Sequence, residues 1–228
     1  MKALALITAR GGSKRIPRKN IKDFNGKPII AYSIEAALGS GVFDEVMVST
    51  DDEEIAEISR SYGAQVPFLR SEKTSNDYAT TSDVINEVIS EYEKRGRRFD
   101  ILTCIYPTAP FITADKLKKA VEDLERSDAD TLIPVVRFSY PPQRAMEIHD
   151  GKLVFRQPEN LKARSQDLTP HFHDAGQFYV TRTESFLKTN NLLMGSIIPL
   201  ELSELEVQDI DNEADWKLAE LKYNLLNK

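Results

Sequence analysis

Apolar residues run without a break over positions 3–7, the pattern of a strand covered on both faces of a parallel sheet. Over 28–38 the pattern changes period. Ile29, Ile30, Ser33, Ile34 and Ala37 share one helical face, Pro28 suits the first turn, and Gly39 or Gly41 ends the helix. Residues 46–48 predict a second buried strand, and 52–62 a helix with Ile55 and Ile58 inward, stopped by Gly63. A short strand is expected at 65–68, kept from a central position by Pro67. The helical pattern at 81–95 places Ile85, Val88, Ile89 and Tyr92 at i, i+3, i+4 and i+7 and closes at Gly96. A strand at 101–106 ends before Pro107. A helix at 113–127 carries Leu117, Ala120, Val121 and Leu124 on one face, and a strand at 131–136 contains Pro134, which weakens its expected pairing. Strand and helix alternate at the spacing of βαβ units, so the fold class is α/β with a mainly parallel sheet.

The alternation breaks near Phe138. Tyr140-Pro141-Pro142 fits neither a helix nor a central strand, and Asp150-Gly151 between two short apolar segments predicts a hairpin. Residues 138–173 therefore form a small antiparallel excursion from a single domain spanning 1–228. Such an excursion has too little core to stand alone and must pack on its own domain or on a second copy. Strand character returns at 177–181 and 196–200. A closing helix over 212–227 is expected to turn Ala214, Leu218, Leu221 and Leu225 inward, with Trp216 as a packing residue.

The chain has 228 residues, 41% hydrophobic and 29% charged, which is enough for a real core and excludes a disordered chain or a disulfide-stapled miniprotein. No apolar run approaches the ~20 residues of a membrane span, the N-terminal apolar run is too short for a secretory signal, and Cys104 has no partner for an internal bridge. A soluble cytoplasmic protein is expected. The formal charge of −6 argues against nucleic acid as a partner. Charge distribution says more: no acid precedes Asp23, whereas Arg10, Lys14, Arg15, Arg18, Lys19 and Lys22 all fall before it or beside it. A basic patch on an acidic protein points to a local anionic ligand.

That patch follows the first strand, and ligands in open α/β sheets bind beyond the carboxyl ends of strands. Gly11-Gly12 lets backbone approach a ligand and aim N–H groups at anionic oxygens. The segment matches neither G-x-x-x-x-G-K-[ST] nor G-x-G-x-x-G, so an ordinary P-loop and a dinucleotide fold are both unsupported. A second element is Asp209 and Asp211. Two apart in an extended segment, they face one way, with Ile210 pointing back to the core, and can hold a hard divalent cation. Helix capping by Asp211 or Asn212 is the alternative for one of them. A third element is Arg70, Asn76-Asp77 and Thr80-Thr81-Ser82, small hydroxyl residues opening a helix. His171, His173 and Asp174 lack further nearby ligands to complete a zinc set.

The stretch Ala9-Arg10-Gly11-Gly12-Ser13-Lys14, with Ile16-Pro17 and Lys19-Asn20, closely resembles the nucleotide-binding loop of the sialic-acid-type cytidylyltransferases. The likeness continues through Val48-Ser49-Thr50-Asp51, Pro107-Thr108-Ala109-Pro110 and Asp209-Ile210-Asp211, and so covers essentially the whole chain. It implies a Rossmann-like three-layer nucleotidyltransferase fold and an enzyme joining CTP to an acidic nine-carbon sugar. Ala9, Arg10, Gly11, Gly12, Ser13, Lys14, Asn20, Arg70, Thr80 and Thr81 would then contact the nucleotide, and Arg10, Lys19 and Asp211 would act in catalysis. Both Asp209 and Asp211 would hold Mg²⁺, and the excursion would serve a homodimer. The general base is not singled out.

Two stretches depart from the sialic acid pattern. Tyr106 stands before Pro-Thr-Ala-Pro, and His173-Asp174-Ala175-Gly176-Gln177-Phe178-Tyr179 replaces an arginine-bearing segment. Both variants, and Arg164-Ser165-Gln166-Asp167-Leu168, resemble the pseudaminic acid branch. The resemblance assigns Tyr106, Arg164, His173, Asp174 and Gln177 to the sugar. The rivals are legionaminic or N-acetylneuraminic acid as acceptor, a nucleotide-binding module without turnover, and a glycosyltransferase. The last lacks a suitable Asp-x-Asp: Asp128-Ala129-Asp130 precedes its strand instead of following it.

Overall fold

A computed structural model describes residues 1–227. Its elements are β1 (Ala3–Thr8), β2 (Asp23–Phe24), β3 (Lys27–Pro28), α1 (Ile29–Ser40), β4 (Glu45–Ser49), α2 (Glu53–Ser61), α3 (Glu72–Ser75), α4 (Thr81–Lys94), β5 (Ile101–Ile105), α5 (Ala114–Arg126), β6 (Thr131–Arg137), β7 (Met146–His149), β8 (Lys152–Phe155), β9 (Phe172–Asp174), β10 (Phe178–Arg182), α6 (Thr183–Thr189), β11 (Ile197–Leu202) and α7 (Glu213–Leu226). The main sheet runs β11-β6-β10-β5-β1-β4, with β9 added along β6. β1 is parallel to β4 and β5, and β6 to β11; β10 lies antiparallel between β5 and β6.

β1 is central because every residue from Ala3 to Ile7 is apolar and buried, so it has no polar face to offer water. Its alternate side chains serve two cores. Ala3, Ala5 and Ile7 pack with residues of α1, α2 and α5. Leu4 and Leu6 pack with Ile85, Val88 and Tyr92 of α4 and Phe186 of α6. Helices thus cover both faces, giving three layers. Pro134 sits where β6 changes partner along one edge: Thr131 and Leu132 pair with β10, while Val135 to Arg137 pair with β9.

Two expectations need correction. Residues 65–68 form no strand; only a single bridge, Met47 to Gln65, forms there. Gln65 donates to Val46 O at 2.8 Å and accepts from Val48 N at 2.9 Å, and Pro67, with no N–H, does not continue the ladder. α7 also turns a different face inward. Trp216 and Ala219 are buried, while Leu218, Leu221 and Leu225 are exposed. The aromatic face wins: Phe24 stacks edge-on against both Trp216 and Tyr223, with ring centroids 5.6 Å apart in each pair. The packing role expected of Trp216 is therefore what the structure shows.

A third apolar cluster matters most for the site. Ile16 of the glycine-rich loop, Phe24, Ile29, Tyr32, Phe111, Ile210 and Trp216 are buried together. This joins the loop after β1 to the segment before α7, which lie nearly two hundred residues apart in sequence.

The excursion leaves the sheet after β6. Its hairpin β7–β8 turns at Asp150 and Gly151, both with positive φ (51° and 74°), as a two-residue turn of this type requires. β9 then returns to the sheet edge.

Candidate functional site

A cleft of about 540 Å³ opens beyond the carboxyl ends of β1, β4 and β5. Arg10, Ser13, Lys14, Arg15, Lys19 and Asn20 line one wall, and Arg70, Asp77, Thr80, Thr81 and Tyr106 line the rest. The two elements that sequence alone kept far apart, the basic loop and the acidic couple, adjoin at the edge of this cleft, although Asp209, Ile210 and Asp211 do not line it. Lys19 Nζ donates to Ile210 O at 2.7 Å, and Arg15 pairs with Asp211 at 2.8 Å.

The loop is built from short-range geometry. Ala9 is buried and extends the β1 ladder, its N–H donating to Ser49 O at 2.9 Å. Gly11 N donates to Asp51 Oδ1 at 2.9 Å, and Ser13 N to Gly11 O at 3.0 Å. Around Gly12 the space is open, with no atom within 4 Å of where a Cβ would stand. The Asn20 side chain is buried, and its amide Nδ2 donates to Arg10 O at 2.9 Å, closing the base of the loop. Arg10 and Lys14 both reach one carboxylate, Asp77, on the segment before α4.

Lys19 is half-buried among charges. Burial holds its ammonium below the ordinary lysine range; Asp211 and Asp209 push it back up, while Arg15 and Arg10 push it down. Both carboxylates of the acidic couple therefore act on Lys19. Ile210 between them is buried and Asp209 exposed, as the extended reading requires. The capping alternative falls to a neighbour. Asn212 caps α7, accepting from Ala214 N and Asp215 N, and the backbone N–H of Asp211 donates to Asp215. Neither aspartate side chain is used as the cap.

A Mg²⁺ ion takes one or two carboxylates and completes its shell with phosphate oxygens and water. Asp209 and Asp211, beside a cleft lined by Arg10, Lys14, Arg15 and Lys19, suit that chemistry. Among the described residues no cluster of three or more His, Cys, Asp and Glu forms a closed cage.

Arg70 is buried at the end of β4, with Nε on Ser49 Oγ at 3.1 Å and Nη2 on Ser49 O at 2.7 Å. Burial lowers its pKa, and Asp51 is the largest opposing influence. Thr80 caps α4: its hydroxyl accepts from Asp83 N at 3.2 Å in a reciprocal capping box. Thr81 opens the helix and lines the cleft with Tyr106.

The five residues assigned to the sugar fall in different places. Tyr106 lines the cleft, and burial raises the pKa of its phenol. It stacks edge-on against Tyr179 at 5.7 Å, and Tyr179 donates to Asp174 Oδ2 at 2.6 Å. Asp174 is thus tied to the cleft through Tyr179. His173 lies exposed on β9 against Phe138. Arg164 lies in the excursion, paired with Asp167 at 2.7 Å. Gln177 is buried, its Nε2 donating to Glu206 O at 2.6 Å, and does not line the cleft.

Sequence reasoning gave no site role to Arg15, Asp77 or Tyr179. Arg15 sits inside the quoted loop, and Asp77 was named without being matched to a cation. Tyr179 carried a period-2 signal, since it shares a strand face with Gln177. Only their partners make them visible.

Comparison with known proteins places this site in context. The model of the family described as Cytidylyltransferase matches residues 4–216. Pseudaminic acid cytidylyltransferase of Campylobacter jejuni is 42% identical over 226 residues, covering 99% of this chain and 97% of that protein. CMP-N,N'-diacetyllegionaminic acid synthase of Legionella pneumophila is 36% identical, covering 96% of this chain and 95% of that protein. Among solved structures, a CMP:2-keto-3-deoxy-manno-octonic acid synthetase complexed with CTP superposes with a TM-score of 0.71, at 19% identity, over 100% of this chain and 99% of its own; at that identity the likeness shows the fold.

Proposed function

Because this chain belongs to the cytidylyltransferase family, we propose that it transfers CMP from CTP to the anomeric hydroxyl of a nine-carbon sugar acid, pseudaminic acid, releasing pyrophosphate. The observation that carries the reading is that Lys19 and Arg15, which line the cleft, both touch the Asp209–Asp211 segment at its edge. The choice of sugar draws on the identity to the Campylobacter jejuni enzyme and on Tyr106 and His173-Asp174.

In the reaction the anomeric oxygen bonds to the α-phosphorus, the bond from that phosphorus to the pyrophosphate oxygen breaks, and the hydroxyl proton is released. Both reactants are anions, so placement and charge neutralisation are the main demands. Gly12, with open space around it, admits the triphosphate close to the backbone, whereas the Gly11 N–H is held by Asp51. Arg10 and Lys14 exchange Asp77 for phosphate oxygens, and Lys19 stands beside the reacting phosphate. Arg70 and Thr81 hold the nucleoside end. Tyr106 closes the other end of the cleft, and Asp174 and His173 stand towards the sheet edge, where they meet the acylamino groups. Asp209 and Asp211 would hold Mg²⁺, which supplies positive charge for the developing oxyanion and the leaving group when bound.

The test is pyrophosphate release from CTP in the presence of Mg²⁺ with pseudaminic, legionaminic and N-acetylneuraminic acids as separate acceptors. The expected result is a kcat/KM for pseudaminic acid at least tenfold above the others. Preference for either rival overturns the sugar assignment, and CTP binding with no pyrophosphate from any of them overturns the enzyme reading.

We further propose a homodimer. In the β7–β8 pairing, Ile148 opposes Leu153 and Met146 opposes Phe155, so one face of the hairpin is apolar. Ile148 is 74% and Leu153 65% exposed, which a small hairpin projecting into water does not favour. A second copy covering this face removes the exposure. Ile148→Glu is expected to convert a dimer to a monomer by light scattering with an unchanged circular dichroism spectrum. A wild-type protein that elutes as a monomer at micromolar concentration would count against the interface.

A further inference from the structure

We propose that Asp52 and Arg18 form a positioning clamp that sets the glycine-rich loop and holds Lys19 against the reacting phosphate. The inference rests on the catalytic reading given above and assigns Arg18 a different task from its basic neighbours.

Arg18, like Lys22, stands outside the cleft that Arg10, Lys14, Arg15 and Lys19 line. Its backbone is left-handed, at φ 55° and ψ 29°, immediately before the one-turn helix Lys19–Ile21. A non-glycine residue seldom holds this conformation unless its surroundings enforce it. Here the enforcement comes from the side chain. The guanidinium grips both carboxylate oxygens of Asp52, Nη2 to Oδ1 at 3.0 Å and Nη1 to Oδ2, and Nη2 also reaches Glu54. A forked pair of this kind fixes direction as well as distance.

Asp52 is itself held from two sides. It is the N-cap of α2, where Oδ1 accepts from Ile55 N at 3.0 Å, and its own N–H donates to Thr50 Oγ1 at 3.2 Å. The pair reinforces itself: the Arg18 guanidinium holds the Asp52 carboxyl below its usual range, and Asp52 raises Arg18. The anchor is therefore the end of a helix seated on the core, not another loop.

The same step of chain grips the other limb of the loop. Asp51 takes the Gly11 N–H at 2.9 Å. A Cβ at Gly11 would stand 2.7 Å from Asp52 Oδ2 and 3.1 Å from its Cβ, so the loop fits against Asp52 only because residue 11 has no side chain. The outgoing limb is thus fastened at Gly11 and the returning limb at Arg18. Between Arg18 and Lys19 the chain divides its two side chains. One goes outward to α2, and the other goes into the cleft to Ile210 O. Releasing Arg18 frees the residue that orients its neighbour.

The test is a double-mutant cycle on Asp52→Asn and Lys19→Ala, read as kcat and KM for CTP by pyrophosphate release with pseudaminic acid saturating. Asparagine still caps a helix, so α2 is kept while the charged fork is lost. In the wild-type background Asp52→Asn is expected to lower kcat about tenfold with KM for CTP within about twofold, and in the Lys19→Ala background to change kcat by less than about twofold. Arg18→Lys, which keeps the charge and loses the fork, is expected to match Asp52→Asn. Two results overturn the clamp alone: wild-type kcat in Asp52→Asn while Lys19→Ala is slow, or an equal loss from Asp52→Asn in both backgrounds, which marks general loosening. Wild-type kcat in Lys19→Ala overturns the catalytic reading itself and takes the clamp with it.

Discussion

Asp211→Ala is expected to lower kcat by about a thousandfold at saturating CTP, a loss of about 4 kcal/mol of transition-state stabilisation. The cause is the loss of one of two carboxylates beside the cleft, where positive charge must be held against two anionic reactants. The fold should persist. Asp211 makes one ion pair, with an arginine whose side chain is 69% exposed, and such pairs contribute less than about 1 kcal/mol. Its link to the α7 cap is through backbone N–H, which alanine keeps. The measurement is pyrophosphate release across a Mg²⁺ titration, alongside a thermal melt. Rates within threefold of wild type at millimolar Mg²⁺ would remove the acidic couple from the mechanism.

Lys19→Ala should have the second largest effect, a fall in kcat of about a hundredfold with KM for CTP changed by less than about fivefold. Lys19 is the one basic residue of the loop shown to be held towards the acidic couple by a backbone acceptor, so it is the cation whose position is most narrowly defined. Its removal leaves Ile210 O without that donor, at a cost of about 1 kcal/mol, but also removes a partly desolvated charge. The two effects oppose each other, and the melting temperature should move by only a few degrees. A variant that melts much earlier but turns over normally would make Lys19 a structural residue.

The strands and helices that carry the sheet were legible because each has one dominant period. Ala3 to Ile7 has no polar position, and 81–95 has a clean helical stripe; both form as expected. The misread elements are those where two signals competed. At 65–68 apolar residues suggested a strand, but Pro67 removes the donor a ladder needs. In α7 the leucines formed the longer stripe, yet the aromatic residues Trp216 and Tyr223 found Phe24, and the leucines face water. No period in a helix sequence says which of two apolar stripes a neighbour will meet.

The site divides the same way. Arg10, Ser13 and Lys14 were visible in a basic turn at a strand end, Arg70, Thr81 and Tyr106 through the family resemblance, and all of them line one cleft. Gln177 shows what spacing leaves out. The resemblance assigned it to the sugar, but its amide turns to Glu206 O and its side chain is buried. Arg18 was counted with the ligand-binding cations because charge alone does not report direction; its left-handed backbone and its grip on Asp52 point it away from the cleft.

What the chain determined by itself was local and periodic: the order of strands and helices, a basic glycine-rich turn at a strand end, and two carboxylates on one side of an extended segment. What the tertiary structure decided was that these last two adjoin, through Lys19 to Ile210 O and Arg15 to Asp211, at the edge of one cleft. Ile16 and Ile210 are each almost fully buried in one cluster with Trp216 and Phe24, and excluding their apolar surface from water draws the two polar segments together. That contact spans nearly the whole sequence, and no local period reports it.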